Sequence, residues 1–100
     1  MMTLSDIIED LHALELRLLD YEKKYGLYSA DFHDLYSQGL LDDGELEETI
    51  DYVRWAGLYE IKQERKAVFR RMSHNFVTTL RTQSPENRIR LAPNPELVAV

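Results

Sequence analysis

The sequence predicts an all-α protein with a long first helix, a short bracing helix, a very long third helix and an extended C-terminal tail. Apolar residues recur in alternating steps of three and four along the first long segment and mainly in steps of four along the second, spacings that keep them on a helical face. Glycines stand where the periodic segments end, and the first proline is Pro85. We therefore divide the chain into a helical domain, residues 1–83, and an extended or disordered tail, residues 84–100.

The first helix is predicted from a single apolar stripe that ends at Gly26, a residue suited to the left-handed conformation that closes a helix. Thr3 or Ser5 can cap its start. The stripe consists of Leu4, Ile7, Leu11, Leu14, Leu18, Tyr21 and Tyr25. We expect its first five residues to pack against a similar stripe of the third helix, formed by Ile50, Val53, Gly57 and Ile61.

The second helix is predicted to begin at Ser29 as its N-cap and to end at Gly39. The third runs from about Glu45 to about Thr82, which is roughly 55 Å at ~1.5 Å per residue. The first helix is too short to cover that length, so part of the third helix needs another partner. This predicts a helical homodimer through the uncovered residues Val68, Met72, Phe76 and Leu80.

Composition limits the class of protein. The chain has 100 residues, 44% hydrophobic and 30% charged, with no cysteine. It therefore has no disulfide, zinc–thiolate site or thiol nucleophile. It also lacks an apolar run long enough to cross a membrane and the features of a signal peptide. We expect a soluble cytoplasmic protein that binds no membrane.

Charge is distributed unevenly along the chain. Residues 1–60 contain fifteen acids and four bases, whereas residues 61–100 contain eight bases and three acids. This asymmetry would steer a basic partner to the first part and an acidic partner or nucleic acid to the second. Alternatively, the charges are solvated faces of helices that pack side by side.

Catalytic and metal sites find little support. Glu9 and His12 have the Glu-x-x-His spacing of di-iron bundles, but the chain has no second copy. His33 and Asp34 are neighbours on a predicted helix, where their side chains diverge, and no nucleophile can be assigned to them. We expect no enzyme activity and no cofactor.

The acidic run consists of Asp42, Asp43, Glu45, Glu47 and Glu48. It lacks the residue order of a calcium loop, and acids are favoured where a helix begins. The same acids could imitate a phosphate path and occupy the basic active groove of a nuclease. Both interpretations stay open.

The third helix carries two further stripes. Lys62, Lys66, Arg70 and His74 recur every four residues, a spacing that can grip phosphates without reading bases. Binding of nucleic acid is therefore a further hypothesis. Tyr52, Trp55 and Tyr59 form an aromatic stripe, which favours a core and, as a second interpretation, a protein interface.

Five short motifs cover about forty residues: Glu22 to Gly26, Ser29 to Phe32, Tyr36 to Gly39, Asp42–Asp43 and Trp55 to Glu60. Together they resemble a family of short helical antitoxins from type II toxin–antitoxin pairs of bacteria and archaea. The later part of the third helix and the tail lie outside the resemblance.

The resemblance implies a protein that neutralises a cognate toxin, often a nuclease, encoded beside it. The residues assigned to partner binding are Asp42, Asp43, Glu45, Glu47, Glu48, Trp55, Tyr59, Arg88, Ile89, Arg90 and Leu91. The competing hypothesis is a self-associating structural or adaptor module without a toxin partner.

Overall fold

A computed structural model describes residues 3–42, 44–83 and 88–93. The described part contains three α-helices and confirms the all-α fold class. In chain order these are α1 (Leu4–Tyr25), α2 (Ser29–Ser37) and α3 (Leu46–Gln83). The observed bounds follow the predicted ones closely.

The ends of α1 are closed by local hydrogen bonds. Thr3 Oγ1 accepts the backbone N–H of Asp6 at 3.1 Å, and the Asp6 carboxylate accepts the backbone N–H of Thr3 at 3.0 Å. This capping box satisfies two donors at the start of the helix. Gly26 ends it in the left-handed region, at a φ of 66°, and donates its N–H to the carbonyl of Glu22. Thr3 is therefore the cap, rather than Ser5.

The prediction of Ser29 as the N-cap of α2 is wrong, because its hydroxyl is engaged elsewhere. Tyr28 occupies the cap position without a side-chain hydrogen bond. Ser29 is buried. Its Oγ donates to Glu22 Oε2 at 2.8 Å and accepts the indole N–H of Trp55 at 2.9 Å. One hydroxyl thus joins residues from all three helices.

α1 runs antiparallel to α3. Lys24, near the end of α1, contacts Asp51 near the start of α3 at 2.7 Å, whereas Asp10 contacts Arg65 at 2.6 Å. Both helices rise ~1.5 Å per residue, so Leu4 lies level with about Arg71. The remainder of α3, to Gln83, extends past the end of α1.

The core centres on Trp55, which has no exposed surface. Its ring lies parallel to Phe32, with centroids 3.8 Å apart, and also stacks on Tyr21 and Tyr25 at 5.8 and 5.7 Å. Such aromatic pairs contribute beyond the apolar area they bury. The fully or nearly buried apolar residues are Ile7, Leu14, Leu18, Phe32, Trp55, Ala56 and Leu58.

The stripe of α1 packs inward as predicted, but its expected partner face on α3 is wrong. Ile50, Val53 and Ile61 are 41%, 57% and 42% exposed. Trp55 and Leu58 occupy the core instead, because the stacked aromatic rings hold the opposite side of α3 against α1 and α2. The close packing expected at Gly57 is also absent, since a Cβ built there meets nothing within 4 Å.

The second half of α3 is only partly covered by its own chain. Val68, Met72 and Leu80 are half-buried, and Met72 and Leu80 lie beyond the end of α1, so a dimer interface through these residues stays a prediction. Val68 lies level with the first turns of α1 in the antiparallel register, which accounts for its partial burial. Phe76, at 54% exposed, matches the expectation.

Residues 88–93 have no helix or strand, and all six are exposed. The predicted binding segment from Arg88 to Leu91 therefore lies on the surface, with Leu91 strongly exposed. The other tail residues lie outside the described part, and the boundary at residue 83 stays a prediction.

Replacing Ser29 with alanine should destabilise the fold. The change leaves the Trp55 indole N–H without its acceptor and removes one donor from the Glu22 carboxylate, at a cost of about 1–3 kcal/mol in unfolding free energy. Urea denaturation followed by tryptophan fluorescence measures this. Ser37→Ala, an exposed serine at the end of α2, is the matched control and should change stability by less than about 0.5 kcal/mol. Equal effects of the two changes would contradict a central role for Ser29.

Candidate protein-binding surfaces

The acidic turn, residues 42–48, joins α2 to α3 and is held by its own carboxylates. Asp42 Oδ1 accepts the backbone N–H of Gly44, and Glu48 Oε2 accepts that of Glu45, both at 3.0 Å. Gly44 takes a φ of 63°, which favours glycine. Two of the acids therefore shape the start of α3, in agreement with the helix-start interpretation. Asp43 lies outside the described residues.

A second set of contacts fixes the acidic turn to α1. Lys24 Nζ lies 3.1 Å from Glu47 Oε1 and 2.7 Å from Asp51 Oδ2, and the Tyr25 hydroxyl donates to Asp51 Oδ2 at 2.6 Å. The hydrogen bonds from Lys24 and Tyr25 lower the pKa of Asp51. Burial and the bond to Asp51 raise the pKa of Tyr25 to about 12. The end of α1 and the start of α3 are thereby tied together.

Exposed leucines flank the acidic turn. Leu40, which precedes the turn, is 63% exposed, and Leu46, the first residue of α3, is 75% exposed. Asp42, Glu45 and Glu47 are exposed as well. The turn thus offers both apolar area and negative charge, a combination that suits a protein partner with a basic rim.

The two aromatic residues assigned to partner binding differ in position. Trp55 is wholly buried, so its assignment as a partner contact is wrong, and the core interpretation of the aromatic stripe holds for it. Tyr59 is half-buried. Its ring lies 4.9 Å from the His33 ring, and its hydroxyl accepts from the Gln63 side-chain amide at 2.7 Å.

His33 forms an arrangement that the sequence did not indicate. Its Nε2 lies 3.2 Å from Glu60 Oε1, and its Nδ1 lies 3.4 Å from Ser37 Oγ. The expected neighbour, Asp34, instead accepts from Gln38. The order hydroxyl, imidazole, carboxylate is that of a nucleophilic triad. Ser37 and Glu60 are, however, exposed, so water surrounds the group and the electrostatic activation of an enclosed site is missing.

The basic stripe of α3 is partly used inside the chain. Lys62 lies 3.8 Å from Glu15, and Arg65 on its flank lies 2.6 Å from Asp10. Arg70 and His74 are exposed, while Lys66 is half-buried. A phosphate-binding surface on this stripe would therefore have to begin at Lys66, beyond the cations that hold α1.

Two negative findings apply to residues 3–42, 44–83 and 88–93. Within these ranges, no group of three or more histidine, aspartate or glutamate side chains is arranged to hold a metal ion. Over the same ranges, none of the helices has the length and apolar character needed to cross a membrane.

Comparison with models of protein families, with curated proteins and with solved structures gave no match. The residues that carry the antitoxin resemblance lie largely in the core and its supports: Glu22, Ser29, Phe32 and Trp55 form one connected group.

Replacing Asp51 with asparagine should lower stability at neutral pH and change its pH dependence. Because the folded protein lowers the pKa of Asp51, its carboxylate stabilises the fold above the unfolded pKa, about 4. That stabilisation is lost as pH falls through the lower folded value. Thermal unfolding at pH 7 and pH 3 should show a smaller difference for Asp51→Asn than for the wild type.

Asp20→Asn serves as the control, because Asp20 is an exposed acid of α1. It should preserve the wild-type difference between the two pH values. A wild-type pH dependence in Asp51→Asn would show that the contacts with Lys24 and Tyr25 do not stabilise the fold.

Proposed function

We propose that this protein is an antitoxin-like binding module that neutralises a cognate toxin by docking the acidic turn onto a basic surface of that toxin. The observation that carries the proposal is the pair of strongly exposed leucines, Leu40 and Leu46, beside the exposed acids of the turn. The sequence resemblance supplies the class of partner.

The described residues of the acidic turn, 42 and 44–48, suit docking because contacts within the chain hold them. Lys24 contacts Glu47 and Asp51, and Asp42 and Glu48 accept backbone N–H groups of the turn. A surface that is ordered in advance loses less conformational entropy on binding. The exposed carboxylates would speed the encounter with a basic protein, and the leucines would then bury apolar area.

The tail segment from Arg88 to Leu91 adds a second contact, since its apolar residues are exposed. The chain acts as a homodimer in the cytoplasm, where its toxin would be made. It acts by binding, without catalysis or a cofactor. Occupation of a basic nuclease groove by the acidic turn is one form this binding can take.

Nucleic-acid binding is a second candidate function, favoured by the exposed cations Arg70 and Arg71 and the exposed His74 near the end of α3. One chain can carry both a protein-binding and a nucleic-acid-binding surface, because the acidic turn and these basic residues lie at opposite ends of α3. A self-associating module without a toxin is the alternative.

The test is to co-express the chain with the product of its neighbouring gene and to measure growth and complex formation. Reversing two exposed acids with Asp42→Lys and Glu45→Lys should slow association about tenfold at low salt and flatten its salt dependence. The matched control, Glu9→Lys with Asp20→Lys, makes the same charge change on exposed positions of α1 and should alter association less. Circular dichroism verifies that all variants keep their helices.

Deletion of residues 84–100 should instead raise the dissociation rate, because the tail adds contacts after the encounter. A neighbouring product that is harmless on its own would contradict the antitoxin proposal. So would full growth rescue and unchanged binding by both the acid-reversed and the truncated chain.

A further inference from the structure

The first half of α3 has a second apolar face that its own chain leaves open. Ile50, Val53, Gly57 and Ile61 recur in steps of three, four and four, and we call them the outer stripe. All three side chains are substantially exposed. Trp55, the centre of the core, lies about 160° around the helix from Gly57, and Leu58 lies about 100° from it. The outer stripe thus faces away from both α1 and α2.

Gly57 at the centre of the outer stripe has no function within the chain. A glycine in a helix interior is less stable than alanine by about 1 kcal/mol. Here a Cβ would meet nothing within 4 Å, and the backbone takes no left-handed conformation. Neither crowding nor a turn therefore requires glycine. Close approach of another helix from outside the chain would require it.

Close to Gly57 the outer stripe is complementary to itself when reversed, whereas Ile50, seven residues from Gly57, would face Glu64. Val53 and Ile61 each lie four residues from Gly57, and Arg54 and Glu60 each lie three residues from it, on opposite sides. In a two-fold antiparallel pair, Val53 of one copy meets Ile61 of the other, and Arg54 meets Glu60. Arg54 and Glu60 are exposed, and Glu60 Oε1 also lies 3.2 Å from His33 Nε2 within the chain.

Charge near Gly57 favours the same orientation. Four other charges of α3, Glu47, Asp51, Lys62 and Arg65, already contact residues of α1, whereas Arg54 and Glu60 are the exposed charges nearest Gly57. A parallel pair would place Arg54 beside Arg54 and Glu60 beside Glu60. An antiparallel pair places Arg54 beside Glu60 and directs the two helix dipoles oppositely.

We propose that a second copy of this chain binds the outer stripe, with the two α3 helices crossing antiparallel at Gly57 and paired by Arg54 and Glu60 across the two-fold axis. This inference rests on the homodimer in the proposed function. It places the dimer interface at the middle of α3 rather than at the overhang around Phe76. Glu64 bounds the apolar contact after Ile61, so the contact is short.

A charge exchange tests the pairing. Arg54→Glu places two glutamates together, and Glu60→Arg places two arginines together, at both symmetry-related contacts of the dimer. Each variant should weaken self-association roughly tenfold. Sedimentation over a wide concentration range measures this. The double variant Arg54→Glu with Glu60→Arg should restore it to within about threefold of the wild type. The two residues lie too far apart along the helix for a contact within one chain.

Cross-linking tests the register, because the chain contains no cysteine of its own. A short bismaleimide serves as the cross-linker, and Gly57 stays unchanged because the close crossing needs a residue without a side chain there. Val53→Cys chains should link to Ile61→Cys chains but not to themselves. Phe76→Cys is the control for the overhang and should stay uncross-linked.

Four results would overturn the inference: a chain that remains monomeric, a double charge exchange that does not recover, self-linking of Val53→Cys, or efficient self-linking of Phe76→Cys. None of these depends on the toxin. The charge variants of the outer stripe keep Asp42 and Glu45. If the chain with Asp42→Lys and Glu45→Lys loses toxin binding but self-associates normally, the failure lies at the acidic turn and not at the outer stripe.

Discussion

The fold depends on one buried group in which the Trp55 indole N–H donates to Ser29 Oγ and Ser29 donates to Glu22. These residues belong to α3, α2 and α1, and the stacking of Phe32 on Trp55 closes the same group. A buried polar group is costly unless it is satisfied, so the tryptophan can occupy the centre only while α2 holds Ser29 beside it. These contacts therefore determine both where α2 lies and which face of α3 is buried.

This dependence explains why the most recognisable motifs do not reveal the chemistry of the protein. Glu22, Ser29, Phe32 and Trp55 carry much of the antitoxin resemblance, and each is accounted for by packing or by an internal hydrogen bond. The residues left for a partner are on other surfaces, chiefly the acidic turn with Leu40 and the outer stripe. Motifs made of core residues report how the chain packs and do not identify its partner.

The sequence predicted the helices because local signals determine them: the stripe from Leu4 to Tyr25, and the glycines that close α1 and α2. It did not predict which face of α3 is buried. The first half of α3 has two apolar faces, one with Trp55 and Leu58 and the other with Val53 and Ile61. The periodicity of apolar residues does not show which of the two is buried. Aromatic stacking with α1 and α2 decides between them. Ser29 was misread similarly, since a hydroxyl suited to capping can also serve a distant tryptophan.

The two proposed surfaces can operate together if the α3 helices cross steeply. Leu46 lies eleven residues from Gly57, or ~16 Å along the helix. At a crossing angle of about 50°, axes that contact at ~8 Å are roughly 16 Å apart at Leu46, which leaves the acidic turn open. A shallow crossing would bring the turn against the basic half of the second copy. The short apolar contact, bounded by Glu64, and the central glycine both favour the steep crossing, so self-association should present two acidic turns at opposite ends of one dimer.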